Sequence, residues 1–419
     1  MSNPIFFDPH GRRKRAFTRG VLIAIGVSVL LSTLFAITVL LSPLQTIGRE
    51  QRRHRELQPP VRKQFSETKK ALNKLIAKEK KAPKAQSPSG SPIIGAFYAP
   101  WQEAGLYSLR AAKDKITHLM PEWVHVKEDG ATIDFETDFD PVITPKNTEV
   151  MQIAQENGIR ILPILDNSTQ GKYDSRRVHK LLASDSAQQS LIDTMRDWLL
   201  DHKFTGINLD FEELDAADYK LMPAFVKRMV DSFKPAGLKV TMDLEAGNDN
   251  VPLKELGDLS DWVVLMAYDE HDENHEPGPI ASVAWSEKVL QDARAVIPAD
   301  KLVCGIGNYG YDWVDGKLPA ESITYQEALT FAREQEEGSG EEGVGKHVIR
   351  MDPASVNPTF DYEGDHGEIH HVWFLDAATA YNKVKLGQRY DVRGYALWAL
   401  GSEDPSVWRF YGREGLSNP

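Results

Sequence analysis

From Pro92 onward the chain alternates between two patterns of apolar and polar residues. Short β-rich runs come as IIGAFYAP (93–100), THLMPEWVHV (117–126), IRILPILDN (159–167) and GINLDFEEL (206–214). They continue as LKVTMDLEA (238–246), DWVVLMAYDE (261–270), KLVCGIGNYGYDW (301–313) and VRGYALWALG (392–401). Between many of them lie stretches such as SLIDTMRDWLLDHK and PAFVKRMVDSFK, whose apolar residues recur at helical spacing. Eight such strands alternating with helices over about 320 residues predict one α/β domain, a (β/α)8 or TIM barrel, rather than an open sheet. The interval between the seventh and eighth runs, about residues 314–391, is long and carries helical and strand-like pieces of its own. It reads as an inserted α+β segment.

A different pattern precedes the barrel. Gly20 to Leu41 is a run of 22 residues without a charge, GVLIAIGVSVLLSTLFAITVLL. At 1.5 Å per residue it spans roughly 33 Å, enough for one bilayer crossing. A cleaved signal peptide is the alternative, but the run exceeds a usual signal core and no A-x-A site follows it. The expectation is a retained transmembrane anchor after a short basic tail, residues 1–19. Residues 42–90 are polar and basic, and SETKKALNKLIAKEKK begins with a capping-box pattern, so they read as a solvated helical stalk. Arg12, Arg13, Lys14, Arg15 and Arg19 precede the apolar run, while Arg49, Arg52, Arg53 and Arg55 follow it. That bias is nearly balanced, with the basic tail favouring an inside N-terminus.

Charge sharpens the division. The net charge of −12 combines a leader (1–90) with 18 basic and 5 acidic residues and a remainder (91–419) with 31 basic and 56 acidic. A domain this acidic does not track a phosphate backbone, which argues against nucleic acid as a partner. The one cysteine, Cys304, excludes an internal disulfide framework.

Candidate chemistry concentrates in GINLDFEE. Alternate side chains of a barrel strand face the lumen, so Asn208, Asp210 and Glu212 share one face while Ile207, Leu209 and Phe211 face the helices. Glu213 has the other parity. Inward polar groups are costly unless hydrogen-bonded or functional, and barrel enzymes place their chemistry at C-terminal strand ends. A polar plug of the barrel is the structural alternative.

Here the sequence resembles glycoside hydrolase family 18, the chitinase-like family, whose fourth strand carries D-x-x-D-x-D-x-E. That register reads Thr205, Asn208, Asp210 and Glu212. MAYDEH (266–271) is similar to the family's sixth-strand Met-x-Tyr-Asp, and ALWALGSEDPSVW (396–408) to its eighth-strand tryptophan segment. The resemblance extends over about residues 93–410. With HEPGPIASVAW and NYGYDW it looks most like a membrane-anchored bacterial subgroup found beside polysaccharide deacetylase and glycosyltransferase modules, which makes such enzymes possible partners. The spore-cortex and peptidoglycan hydrolase branch is a second relative.

The resemblance implies a retaining reaction without a protein nucleophile. Glu212 would protonate the glycosidic oxygen, and the substrate's own acetamido carbonyl would attack the anomeric carbon. Asp210 would stabilise the acetamido nitrogen, Tyr268 would bond the acetamido oxygen with Met266 and Asp269 nearby, and Trp398 would floor the site. Thr205 and Asn208 depart from the family pattern. Asn208 leaves Asp210 to carry its charge alone, and two carboxylates about 5 Å apart at an effective dielectric of ~20 interact by roughly 3 kcal/mol. That helps keep Glu212 protonated near neutral pH.

Around this centre, Tyr98, Trp101, Tyr309, Asp312 and Trp313 are candidate sugar contacts, with core packing the competing role for Tyr98. Trp373 and Asp376 are candidates for a groove wall, and Glu122, Trp123, Asp243 and Glu245 for the rim. His370 and His371 lack metal-ligand spacing, so neither a metal nor a cofactor is expected. The resulting expectation is a membrane-anchored, extracytoplasmic glycosidase acting on an N-acetylglucosamine polymer: chitin-like, peptidoglycan or poly-N-acetylglucosamine. A glycan-binding lectin, or an accessory of polysaccharide synthesis or export, is the alternative.

Overall fold

The computed structural model describes residues 91–135, 144–169, 172–338, 349–364 and 366–413. The apolar run 20–41 and the stalk 42–90 lie outside the described residues. Among the described residues no helix is long and apolar enough to cross a membrane.

Eight parallel strands form a closed barrel. They are Ile93–Tyr98, His118–Val126, Ile164–Asp166, Gly206–Asp210, Lys239–Glu245, Trp262–Met266, Leu302–Gly307 and Gly394–Trp398, each paired with its neighbours in that order. The first strand pairs in parallel with both the second and the eighth, which closes the ring. Every strand falls inside one of the eight runs read from the sequence.

Period-two alternation divides each strand between two cores. Outward residues such as Ile94, Ile207, Leu209, Val240, Val263 and Leu397 pack beneath the helices in one large cluster. Inward residues Ile93, Phe97, Met120, Ile164, Trp262 and Val303 fill the lower barrel in a second, smaller one. Helices Asp185–Asp201 and Ala216–Phe233 bury one apolar face each against the outer surface; Ser184 caps the first by accepting from the Ala187 N–H. Two strands begin where backbones nearly touch. A Cβ at Gly206 would lie 2.1 Å from the Lys239 carbonyl oxygen, and one at Gly394 would lie 1.9 Å from that of Ile93, so only glycine fits.

The run KLVCGIGNYGYDW, read as one strand, is two. It breaks at Asn308, whose N–H donates to the Trp398 carbonyl at 3.0 Å and whose Nδ2 donates to the Ala399 carbonyl at 3.2 Å. Beyond the break, Tyr309–Val314 leaves the barrel for a five-stranded antiparallel sheet with Glu321–Thr324, Ile369–Phe374, Pro358–Glu363 and Arg350–Met351. Helix Tyr325–Gly338 covers this sheet through Ala328 and Ala332, which pack on Ile323, Phe360, Val372 and Phe374. Helix Ala377–Arg389 then leads into the eighth strand. The sheet therefore stands over the seventh and eighth strand ends and presents Tyr309, Tyr311 and Trp313 on one face.

Candidate active site

The fourth strand ends at Asp210, and Glu212 lies two residues beyond, at the C-terminal mouth. Glu213 takes a left-handed backbone (φ 58°), so the chain turns there and leaves Glu213 exposed while Glu212 is half-buried. Two contacts fix the backbone of Glu212. Its N–H donates to Asn167 Oδ1 at 3.0 Å, and its carbonyl accepts from Asn167 Nδ2 at 3.0 Å. Asn167 is itself fully buried immediately after the third strand. The buried amide thus holds the glutamate's main chain from both sides.

Asn208 and Asp210 face the lumen, buried, as parity required. Asp210 Oδ2 accepts from the Tyr173 hydroxyl at 3.3 Å. Asn208 Oδ1 accepts from the Thr241 hydroxyl at 2.7 Å, and its Nδ2 donates to Asp243. The expectation that Asp210 carries its charge alone is not met. Asp243 on the fifth strand, Asp166 on the third and Glu122 on the second all act on it.

Burial dominates the electrostatics. Loss of solvent lifts Asp210 well above the ordinary carboxylate range, with Asp243, then Asp166 and Glu122, adding to the rise and the Tyr173 hydroxyl opposing it. Burial also lifts the Glu212 carboxyl well above its ordinary value; Asp210 adds to this, Tyr173 opposes it, and Glu245 and Asp269 add further. The geometry thus offers a proton-bearing carboxyl at the mouth above a cluster of buried carboxylates.

The sixth strand supplies the facing wall. Tyr268 is buried two residues past Met266, and after burial Asp243 is the strongest influence raising its phenol. Asp269 adopts φ 62° and accepts from the hydroxyls of Tyr309 and, at 3.0 Å, Tyr311. Its residue as a whole is exposed while its carboxylate is turned in between the phenols; desolvation there raises it to about 7, the hydrogen bonds from Tyr309 and Tyr311 oppose the rise, and Glu273 and Asp272 add to it. Met266, Trp373 and Trp398 pack at the edge of this tyrosine cluster. Trp398 ends the eighth strand with its ring 5.1 Å from Phe97 in an edge contact, and the Trp398–Ala399 peptide is cis. It bridges the lower barrel core and the tyrosine cluster. Trp101 stands exposed after the first strand.

Three expected sugar contacts lie elsewhere. Tyr98 points outward into the helix-side core against Gly105, because Phe97 holds the inward position. Asp312 lies on the opposite face of its strand from Tyr309 and Tyr311, where Tyr362 donates to it at 2.6 Å and His370 Nδ1 lies 2.9 Å from it. Trp313 is fully buried, its indole N–H donating to the His275 carbonyl at 2.8 Å, so neither ring face is open to a sugar.

Asp376, expected at a groove wall, is the N-cap of helix Ala377–Arg389. Trp123 packs outward with its indole N–H on Asn147 Oδ1 at 2.9 Å, and Glu245 accepts from the Tyr219 hydroxyl at 2.6 Å. His371 pairs with Asp361 and Asp315. Among the described residues, Glu122, His125 and Asp166 bring ligand-type atoms within 4.8 Å of one another. His125 Nδ1 and Asp166 Oδ1 are 2.7 Å apart, the spacing of a direct hydrogen bond.

Residues 93–404 match the family model Glycosyl hydrolases family 18, most of the chain, and the protein therefore belongs to that family. Among curated relatives, the Bacillus subtilis glycosylase YdhD is 26% identical over 253 residues, 58% of this chain and 58% of that one. The cortical fragment-lytic enzyme of the same species is 25% identical over 280 residues, 64% of this chain and 63% of that one. This chain thus spans about three fifths of the length of these two relatives. In fold it is similar to a chitinase from Chromobacterium violaceum (TM-score 0.67, 23% identity, 78% of this chain and 100% of that one). It is likewise similar to the Bacillus cereus spore cortex-lytic enzyme SleL (TM-score 0.65, 23% identity, 78% and 74%).

Proposed function

We propose that the barrel hydrolyses a β-linked glycan containing N-acetylglucosamine, with Glu212 as the proton donor and the substrate's acetamido group as the nucleophile. The observation that carries this reading is Glu212 itself: a half-buried carboxyl at the barrel mouth, clamped through its backbone by Asn167 and lifted in pKa by burial and Asp210. A general acid has to keep its proton near working pH, and this environment keeps it.

Glu212 gives its proton to the glycosidic oxygen as the C1–O bond breaks, and the acetamido carbonyl oxygen bonds to C1 to give an oxazolinium ion. Asp210 stabilises the positive charge developing at the acetamido nitrogen, and Tyr268 donates to the acetamido oxygen. Water then adds to C1, its proton passes to the Glu212 carboxylate, and the C1–acetamido bond breaks with net retention. Trp398 floors the reacting sugar, Met266 and Asp269 line its wall, Asn208 holds the carboxylate layer, and Tyr309 and exposed Trp101 border the cleft.

The substrate class draws support from the relatives. They include cortical fragment-lytic enzymes, and a class V chitinase of Nicotiana tobaccum with this fold was solved with NAG4 (TM-score 0.63, 17% identity). The uncharged run 20–41 supports a single-pass anchor with the barrel outside the cytoplasm, and residues 42–90 a stalk between them. The full chain, incubated with β-1,4 and β-1,6 N-acetylglucosamine oligomers and with peptidoglycan, is expected to release N-acetylglucosamine-terminated fragments of the β anomer. Binding without cleavage anywhere between about pH 4 and 9 would make it a lectin instead.

Asn167→Ala tests the clamp. With both contacts to the Glu212 backbone gone, kcat is expected to fall by about 10- to 100-fold with KM changed less than about threefold. An unchanged kcat in a variant with wild-type circular dichroism would remove Asn167 from the site's construction.

A further inference from the structure

We infer that Asp243 is the proton-sharing partner of Asp210, a positioning residue whose carboxylate sets the charge that Asp210 presents to the bound sugar. The inference rests on the hydrolytic reading above and extends it to a residue on a different strand.

Strand register puts the two side by side. The fourth and fifth strands pair in parallel with Asn208 opposite Thr241 and Leu209 opposite Met242, so the next pair on the lumen face is Asp210 and Asp243. Neighbouring strands lie about 4.8 Å apart. Both residues are buried, and each has one oxygen with no hydrogen-bond partner among the described residues, Asp210 Oδ1 and Asp243 Oδ1. Their other oxygens are taken, by the Tyr173 hydroxyl and by Asn208 Nδ2.

Asn208 shows why the pair has to share. The Thr241 hydroxyl donates to Asn208 Oδ1, which turns the amide so that its NH2 faces Asp243. An amide carries no charge and cannot titrate. It steadies Asp243 but offers no proton to absorb. From the fourth strand Asp210 and Glu212 face Asp243; from the sixth, Tyr268; along its own strand, Thr241 and Glu245; beyond Asp210 lie Tyr173, Glu122 and the paired Asp166 and His125. His125, already bonded to Asp166, is the one group of this set that gains positive charge on protonation. Two buried carboxylates in such company do not both ionise near neutral pH, and one proton stays between them.

The test compares the full chain with Asp243→Asn, Asp210→Asn and the exchange variant Asn208→Asp/Asp243→Asn. Groups whose folded pKa lies above the unfolded value give stability that is fully present in acid and is lost as pH rises through the folded pKa. The thermal midpoint of the wild type should therefore fall between about pH 4 and 8, and fall less in Asp243→Asn and in Asp210→Asn. On N-acetylglucosamine oligomers, Asp243→Asn should move the acid limb of kcat/KM down by about one pH unit or more, because Asp210 then ionises without a competing charge. The exchange variant returns the carboxylate to a position beside Asp210 and should restore the wild-type limb, which a purely structural role would not do. Superimposable midpoint profiles for wild type and Asp243→Asn, or an exchange variant that restores nothing, would overturn the inference. If the midpoints respond as expected while the wild type cleaves none of the glycans, the shared proton stands and the hydrolytic reading falls.

Discussion

Replacing Glu212 with Gln is expected to lower kcat on N-acetylglucosamine oligomers by about 10³-fold while leaving oligomer affinity within about threefold. The amide keeps the volume and the Asn167 backbone clamp but has no proton to give. The leaving oxygen then departs without acid assistance, and general acid catalysis typically contributes 10²–10⁴-fold. The loss should fall on kcat because the proton moves only in the transition state. Glu213→Gln is the control: its side chain is exposed beyond the turn at φ 58°, and less than about a twofold change is expected. Single-turnover rates with calorimetric titration separate the two effects. Residual hydrolysis within tenfold of wild type in Glu212→Gln would remove Glu212 as the acid.

The fold was legible because each strand needed only local information. A run such as IIGAFY alternates toward two different cores, and its neighbours repeat the pattern at barrel spacing. The inward set on the fourth strand was legible for the same reason. What escaped depends on contacts between strands. Asn167 closes a run whose apolar residues dominate the reading, and its two bonds reach a residue far along the chain. Tyr173 sits on a two-residue strand too short to show periodicity.

Asp243 was expected at the rim but is buried, and its inward place was readable: Thr241, Asp243 and Glu245 alternate on KVTMDLE as Asn208 and Asp210 do on GINLD. The misplaced aromatics have one cause each. Tyr98 was one residue out of phase with the lumen, and the break at Asn308 moved Asp312 and Trp313 from a barrel strand onto a separate sheet. There, parity sends Tyr309 and Tyr311 toward Asp269 and Asp312 toward Tyr362 and His370. Tyr311, grouped with no function in the sequence, is consequently the residue that shares Asp269 with Tyr309.

Under the proposed mechanism Asp210→Asn should show two separable effects, because Asp210 there acts both on the sugar and on Glu212. Losing its negative charge removes stabilisation of the acetamido nitrogen, and kcat is expected to fall by about 10²- to 10³-fold, roughly 3–4 kcal/mol of transition-state stabilisation. The second effect concerns the proton. After burial, Asp210 is the main influence raising the Glu212 carboxyl. Without it Glu212 loses its proton at lower pH, so the alkaline limb of the rate profile should shift toward acid. The direction follows from charge: a neutral amide at position 210 no longer penalises the Glu212 carboxylate. The variant should therefore retain relatively more activity at pH 5 than at pH 8 when each is compared with wild type at the same pH. An alkaline limb that stays in place while kcat falls would show that Asp210 acts on the sugar alone. A limb that moves with kcat unchanged would show that it acts only through Glu212. The proposed mechanism, with Asp210 joined to Tyr173 and raising the Glu212 carboxyl, predicts both effects together.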